Sequence, residues 1–288
     1  MKKIIHYYFC GLAMGAADIV PGISGGTIAF ILGVYYKLLL AIQAFNLQFA
    51  RQLLSGHFRA AFKQIPWLFL LPLGAGIACS IFGLARTIIY LLETYPTAVW
   101  LFFFGLIVSS LVIVARTIPF KGLNNILPFL IGFGFAWGLI GLDAISVEPS
   151  LPVYFASAFV AVCALLLPGI SGASILVLLG QYQHVIKAVA TLDWTVLIVF
   201  LSGCVCGALT FARVVSAFLT RFPISGTSLM LGLMLGSLRA VWPWQADGYP
   251  VLPQTMDATL APALLCCLLG IVVPIVLHLI SKRVQKPE

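Results

Sequence analysis

Residues 20–35 read VPGISGGTIAFILGVY, and residues 167–182 read LPGISGASILVLLGQY. Pro21-Gly22-Ile23-Ser24-Gly25 therefore recurs as Pro168-Gly169-Ile170-Ser171-Gly172, 147 positions later. Outward from the motif, Trp67 matches Trp194, Gly76 matches Gly203, Ala85-Arg86 matches Ala212-Arg213, Pro96 matches Pro223 and Gly105 matches Gly232, all at an offset of 127. Chance does not write a chain twice in this way. The change of register by 20 marks an insertion in the first copy, the loop from about Phe45 to Gln64 with Arg51, His57, Arg59 and Lys63. The repeat predicts a first unit over 1–142 and a second over 143–288, forming one transmembrane domain. Lys2-Lys3, a short apolar run and Gly15-Ala16-Ala17 resemble a cleaved signal peptide. The segment before Pro21 has a counterpart before Pro168, however, and is expected to belong to the folded unit.

Of the 288 residues 62% are apolar and 8% charged, whereas soluble domains carry about a quarter charged residues. Apolar stretches repeatedly reach the roughly 20 residues that carry a helix across a bilayer, without the short alternating segments of an outer-membrane barrel. The fold class is an all-α polytopic membrane protein. The formal charge of +8 is spread among loops and forms no single basic face, which argues against nucleic acid. All seven cysteines fall in apolar stretches with no CxxC pair, so neither a disulfide framework nor a zinc site is indicated. His6, His57, His184 and His278 are scattered, with neither an HExxH motif nor a paired acid. No metal, cofactor or catalytic group is expected.

Loops rich in Lys and Arg mark the cytoplasmic side. Lys2, Lys3, the 45–64 loop, Arg116, Lys121, Arg221, Lys282, Arg283 and Lys286 fall on one side of the map. The complementary loops at 93–97, 143–152, 191–193 and 243–258 contain no Lys or Arg, but hold six of the eight acids: Glu93, Asp143, Glu148, Asp193, Asp247 and Asp257. Both termini are thus expected in the cytoplasm of a bacterial inner-membrane protein. Each copy begins with a hairpin broken at PGISG, with arms near 4–20 and 24–43, then 153–167 and 170–190. Three crossings follow, about 66–92, 98–116 and 125–142 in the first copy and 194–219, 225–241 and 259–281 in the second. The first hairpin opens to the cytoplasm and the second to the outside, the inverted-repeat plan of many secondary transporters. The arms are short for full crossings, which favours re-entrant hairpins meeting near the midplane; two full crossings per hairpin is the alternative.

After each Pro-Gly turn a helix starts on small or hydroxyl residues, Ser24-Gly25-Gly26-Thr27 and Ser171-Gly172-Ala173-Ser174. Free N–H groups and the positive dipole end at such a start suit a phosphate or carboxylate. Small residues also permit close helix crossing in membranes, but their occurrence at both hairpin tips favours a site. Arg86 and Arg213 are repeat equivalents inside crossings, where arginine usually faces a cavity or a partner. Arg86 lies about 10 Å from the middle of its crossing at helical rise, and inversion puts Arg213 at similar depth toward the other leaflet. One guanidinium near each leaflet could hold phosphate with paired hydrogen bonds. Snorkelling, or pairing with Glu93, is the competing explanation. Arg239 is a weaker phosphate candidate, because its counterpart is Val112. Snorkelling accounts for Lys37 and Lys187. Asp18 is the one carboxylate expected within the membrane, and its counterpart is Leu165. It could carry a coupling proton, or act structurally by accepting hydrogen bonds from the hairpin tip.

The stretches GAADIVPGISGGTIAFILGVY at 15–35 and LPGISGASILVLLGQY at 167–182 resemble a bacterial membrane family described as polyprenyl-phosphate translocases, and the resemblance covers nearly the whole chain. It implies that the partner is undecaprenyl phosphate within the bilayer, the carrier lipid of cell-wall synthesis, returned from the outer to the inner leaflet; a homo-oligomer is left open. The main rival is an undecaprenyl-pyrophosphate phosphatase, whose Pro-Gly-x-Ser serine is followed by arginine and which uses membrane glutamates. Here Ser24 and Ser171 are each followed by glycine and no glutamate is expected inside the bilayer, so hydrolysis lacks its base and its metal-binding acids. A small-anion carrier or channel would suit the helix starts equally well.

Overall fold

The computed structural model of the protein describes residues 2–20, 22–116, 118, 122–145, 147–246, 249–253 and 260–285. Side chains are described within these except at Lys2, Tyr249, His278 and 280–285. Pro21, Lys121, Asp247, Asp257 and Lys286 lie outside the described residues, as do the side chains of Lys2, Lys282 and Arg283.

Fourteen helices follow one another among the described residues. The first copy contains α1 (Lys2–Ile19), α2 (Gly25–Ile31), α3 (Tyr35–Gln43), α4 (Leu47–Leu54), α5 (Phe58–Gln64), α6 (Trp67–Thr94), α7 (Pro96–Ala115) and α8 (Leu123–Ile140). The second contains α9 (Leu151–Leu165), α10 (Gly172–Leu178), α11 (Tyr182–Thr191), α12 (Trp194–Arg221), α13 (Pro223–Val241) and α14 (Leu260–Gln285). A short hairpin, β1 (Gln245–Ala246) and β2 (Tyr249–Pro250), precedes α14. Six helices are long and apolar enough to cross a bilayer: α6, α7, α8, α12, α13 and the 260–277 part of α14. They coincide with the six expected crossings.

The arms at 24–43 and 170–190 are each built of two helices. α2 and α3 meet at a bend of 117°, α10 and α11 at 107°. Gly33 and Gly180, equivalent positions of the two motifs, take φ values of +72° and +67° at these corners. Only glycine enters that left-handed region without crowding its own Cβ, and the chain turns there.

Packing inside an apolar solvent relies on close approach instead of hydrophobic burial. Within the copies α1 lies on α6 and α9 on α12; between them α7 lies on α14 and α8 on α13. Each pair closes over glycine. A Cβ added at Gly76 would run into the Tyr8 carbonyl, and one at Gly270 into that of Phe102. The exchanged pairs join the two halves into one body. Its core runs through Met14, Val20, Ile28, Leu39, Phe69, Ile107 and Met234.

Candidate functional site

Ending α9 near Leu165 and resuming at Gly172 frees carbonyls at the helix end and an amide at Gly169, whose φ is +94°. In an apolar interior such groups must find partners. The first copy supplies them. The Ser24 hydroxyl donates to the Leu165 carbonyl at 3.1 Å, the Tyr35 hydroxyl donates to the Leu166 carbonyl, and the Gly169 amide donates to Thr27 Oγ1 at 2.8 Å. Ser24, Thr27 and Tyr35 are almost completely buried, at 1%, 1% and 2% exposure.

The counterparts of these three residues do something else. Ser171, Ser174 and Tyr182 all line a cavity of about 490 Å³. Asp18, Ile19 and Gly22 line the same cavity, and these are the counterparts of Leu165, Leu166 and Gly169. One copy's hydroxyls are thus bonded to the other copy's break, while the reciprocal set borders open space. Leu139 and Ile140 at the end of α8, with Leu142 just past it, add apolar lining.

The two motif helices also differ at their first turns. Ser24 caps α2 by accepting from the Gly26 amide at 3.1 Å, and Asp18 Oδ1 accepts from the Gly25 amide at 2.6 Å. A Cβ at Gly25 would come within 2.5 Å of Asp18 Oδ2. The Ser171 side chain, by contrast, makes no capping bond to α10, and the residue aligned with Asp18 is Leu165. The α2 start is saturated by its own side chains; the α10 start is not.

Asp18, Ser171 and Ser174 are therefore brought together at one cavity, whereas Ser24, Gly25, Gly26 and Thr27 are buried and do not line it. Gly172 is buried against the Ala161 carbonyl, 2.8 Å from a Cβ added there. Arg86 and Arg213 stand on exposed faces of α6 and α12 and do not line the cavity. Arg239 is buried, at 7% exposure. Its Nη1 donates to the Trp137 carbonyl at 3.1 Å, its guanidinium lies 5.2 Å from the Trp137 ring centre, and the next residue, Ala240, lines the cavity. Among the described residues no group of three His, Cys, Asp or Glu could hold a metal.

Sequence reading passed over Tyr35, Tyr182 and Gln43. The tyrosines stand in matching register, 14 residues after Pro21 and Pro168, which was the available signal. Gln43 has none, since position 190 is alanine. Its Nε2 donates to Ser216 Oγ at 2.6 Å and to the Ala212 carbonyl at 3.1 Å, fastening α3 to α12. Among the described residues α11 has no comparable packing on α6.

Residues 14–259 match a family model described as undecaprenyl phosphate translocase-like. A Vibrio cholerae serotype O1 protein named polyprenyl-phosphate transporter is 43% identical over 246 residues, 84% of this chain and 80% of its own. A Staphylococcus aureus protein of the same name is 27% identical over 251 residues, 81% of this chain and 84% of its own. No solved structure matches the chain.

Proposed function

The chain belongs to the undecaprenyl phosphate translocase-like family, and on that premise we propose that it carries undecaprenyl phosphate from the outer to the inner leaflet of the bacterial cytoplasmic membrane. The observation that carries this reading is the half-used set of motif hydroxyls: Ser24, Thr27 and Tyr35 spent on the opposite break, Ser171, Ser174 and Tyr182 facing a cavity. Hydroxyl donors and the uncapped first turn of α10 suit a phosphate headgroup. The cavity's 490 Å³ suits a headgroup and leaves the long polyprenyl tail in the bilayer. Both relatives are named as transporters, which favours transport over hydrolysis.

In this reading the two copies have opposite orientation in the membrane, each with a re-entrant hairpin, and both termini are cytoplasmic. The two hydrogen-bond sets then alternate. When Ser171, Ser174 and Tyr182 engage the backbone of Asp18, Ile19 and Gly22, the present cavity closes. Ser24, Thr27 and Tyr35 release Leu165, Leu166 and Gly169, and the equivalent cavity opens to the other leaflet. Arg86 and Arg213, outside the cavity, attract the headgroup at the two leaflets, and Arg239 biases the wall toward an anion. A phosphate beside the Asp18 carboxylate binds more tightly when that carboxylate carries a proton, because the like charges otherwise repel. Proton and substrate uptake are linked by that preference.

The test is leaflet accessibility of undecaprenyl phosphate in proteoliposomes holding native protein or the Ser171→Ala/Ser174→Ala variant, with free phosphate assayed in the same samples. Lipid movement lost in the variant, without phosphate release, is the expected result. Phosphate release by the native protein would make it a phosphatase, and soluble-anion uptake without lipid movement would make it a small-anion carrier.

A further inference from the structure

The 45–64 excursion has no counterpart in the second copy, where α11 and α12 are joined by Leu192-Asp193 alone. It is not a loose loop. Asn46 caps α4 by accepting from the Phe49 amide at 3.0 Å, and α4 packs on α5. The base is stapled: Gln64 Nε2 donates to the Ala44 carbonyl at 3.0 Å, and the Trp67 indole donates to the Phe62 carbonyl at 2.8 Å while stacking on the Phe62 ring. Trp67 is also the first residue of the spanning helix α6. The helical hairpin is thus held at the end of a helix long and apolar enough to cross a bilayer.

Its outer face is apolar and cationic together. Leu47, Leu54, Phe58 and Phe62 are 64%, 90%, 59% and 51% exposed. Arg51, Arg59 and Lys63 are exposed among them, and residues 45–66 contain no acid. Leu47 and Leu54 lie two helical turns apart on one face of α4, and on α5 the pairs Phe58/Phe62 and Arg59/Lys63 each follow the i, i+4 spacing that shares a face. Side chains of this mix are costly in water and equally unsuited to the hydrocarbon core. They match the headgroup boundary of an anionic leaflet, where apolar groups sink and Lys and Arg stay at phosphate depth.

We propose that α4 and α5 form an interfacial anchor that lies on anionic phospholipid, with Leu54, Phe58 and Phe62 immersed and Arg51, Arg59 and Lys63 on the lipid phosphates. The anchor does not depend on the transport reading. It holds the α3 end and the α6 start at fixed depth, giving the first copy a membrane-surface footing that the second lacks.

The test uses the full-length protein, its native cysteines replaced, with a nitroxide at Leu54→Cys or Phe58→Cys, in nanodiscs of phosphatidylcholine alone or mixed with phosphatidylglycerol. Power saturation compares access of oxygen, which favours lipid, with that of a water-soluble nickel chelate. Oxygen-favoured access that deepens with phosphatidylglycerol and is lost in Arg51→Gln/Arg59→Gln/Lys63→Gln is expected. Nickel-favoured access at both sites in both lipids would overturn the proposal. So would equal immersion in both lipids that survives the triple substitution, since charge would then play no part. Protection from both agents with spin–spin broadening would overturn it in favour of a second copy of the chain.

Discussion

The Gly169 amide donates a 2.8 Å hydrogen bond to the Thr27 hydroxyl, although the two residues stand 142 positions apart in opposite copies of one motif. Both are buried, and Gly169 is too tightly packed for a Cβ, which would come within 2.8 Å of the Leu233 carbonyl. Thr27→Val keeps the shape and removes the acceptor, leaving a buried amide unsatisfied at about 1–3 kcal/mol. A lower midpoint of thermal unfolding in detergent is expected, with recovery in Thr27→Ser. An unchanged midpoint in the valine variant would mean that this bond contributes nothing.

Ser24 and Ser171 are the same residue of the same motif and should respond oppositely. Ser24→Ala removes both the α2 cap and the donor to Leu165, and caps alone contribute about 0.5–2 kcal/mol. Ser171→Ala removes a hydroxyl that does not cap its helix and faces the cavity. Unfolding measurements should rank Ser24→Ala well below native and Ser171→Ala close to it, while transport assays should find Ser171→Ala impaired despite its stability. Equal loss of stability in both would remove the basis for calling one structural and the other substrate-facing.

This difference marks the limit of what could be read from the chain. The doubled PGISG motif and the runs of about 20 apolar residues made the breaks and the six crossings legible, because a bilayer forces helices of that length. The corners at Gly33 and Gly180 were not, since a single glycine inside an apolar run is tolerated in a membrane helix and changes no composition. Which helices pair was also hidden: α7 and α8 are apolar on all sides, so no face announces that they cross to α14 and α13 of the other copy. Two nearly identical motifs read as equals, whereas a single conformation uses them unequally. Arg239 read as the weaker phosphate candidate because Val112 is its counterpart, and the contact it makes is with Trp137 of the opposite copy.

The Arg239 guanidinium lies directly on Gly141: a Cβ there would fall within 2.7 Å of Nη1. Gly141 is itself exposed and the guanidinium is the movable end of a long side chain, so Gly141→Ala is expected to shift the cation at little cost in stability. Arg239→Lys keeps the charge but not the planar group that spans the Trp137 carbonyl and ring. Arg239→Lys is expected to be less thermostable while Gly141→Ala stays close to native, and the apparent affinity for undecaprenyl phosphate should fall more in Arg239→Met than in Arg239→Lys. A methionine variant with native affinity would separate this cation from the substrate.

Asp18→Asn separates the structural from the coupling role of the acid. An asparagine oxygen can still accept from the Gly25 amide, now 2.6 Å from Asp18 Oδ1, so the hairpin tip should survive with a near-native unfolding midpoint. What the amide cannot do is take up a proton. If phosphate and proton enter the cavity together, lowering the pH on the loading side supplies the protonated carboxylate and speeds native transport, and raising it slows transport. Asp18→Asn, permanently neutral, should bind the headgroup without that penalty and transport at a rate that no longer follows the pH of the loading side, nor an imposed pH gradient. A variant that keeps the native pH dependence would assign the proton elsewhere and leave Asp18 as the acceptor that holds the start of α2.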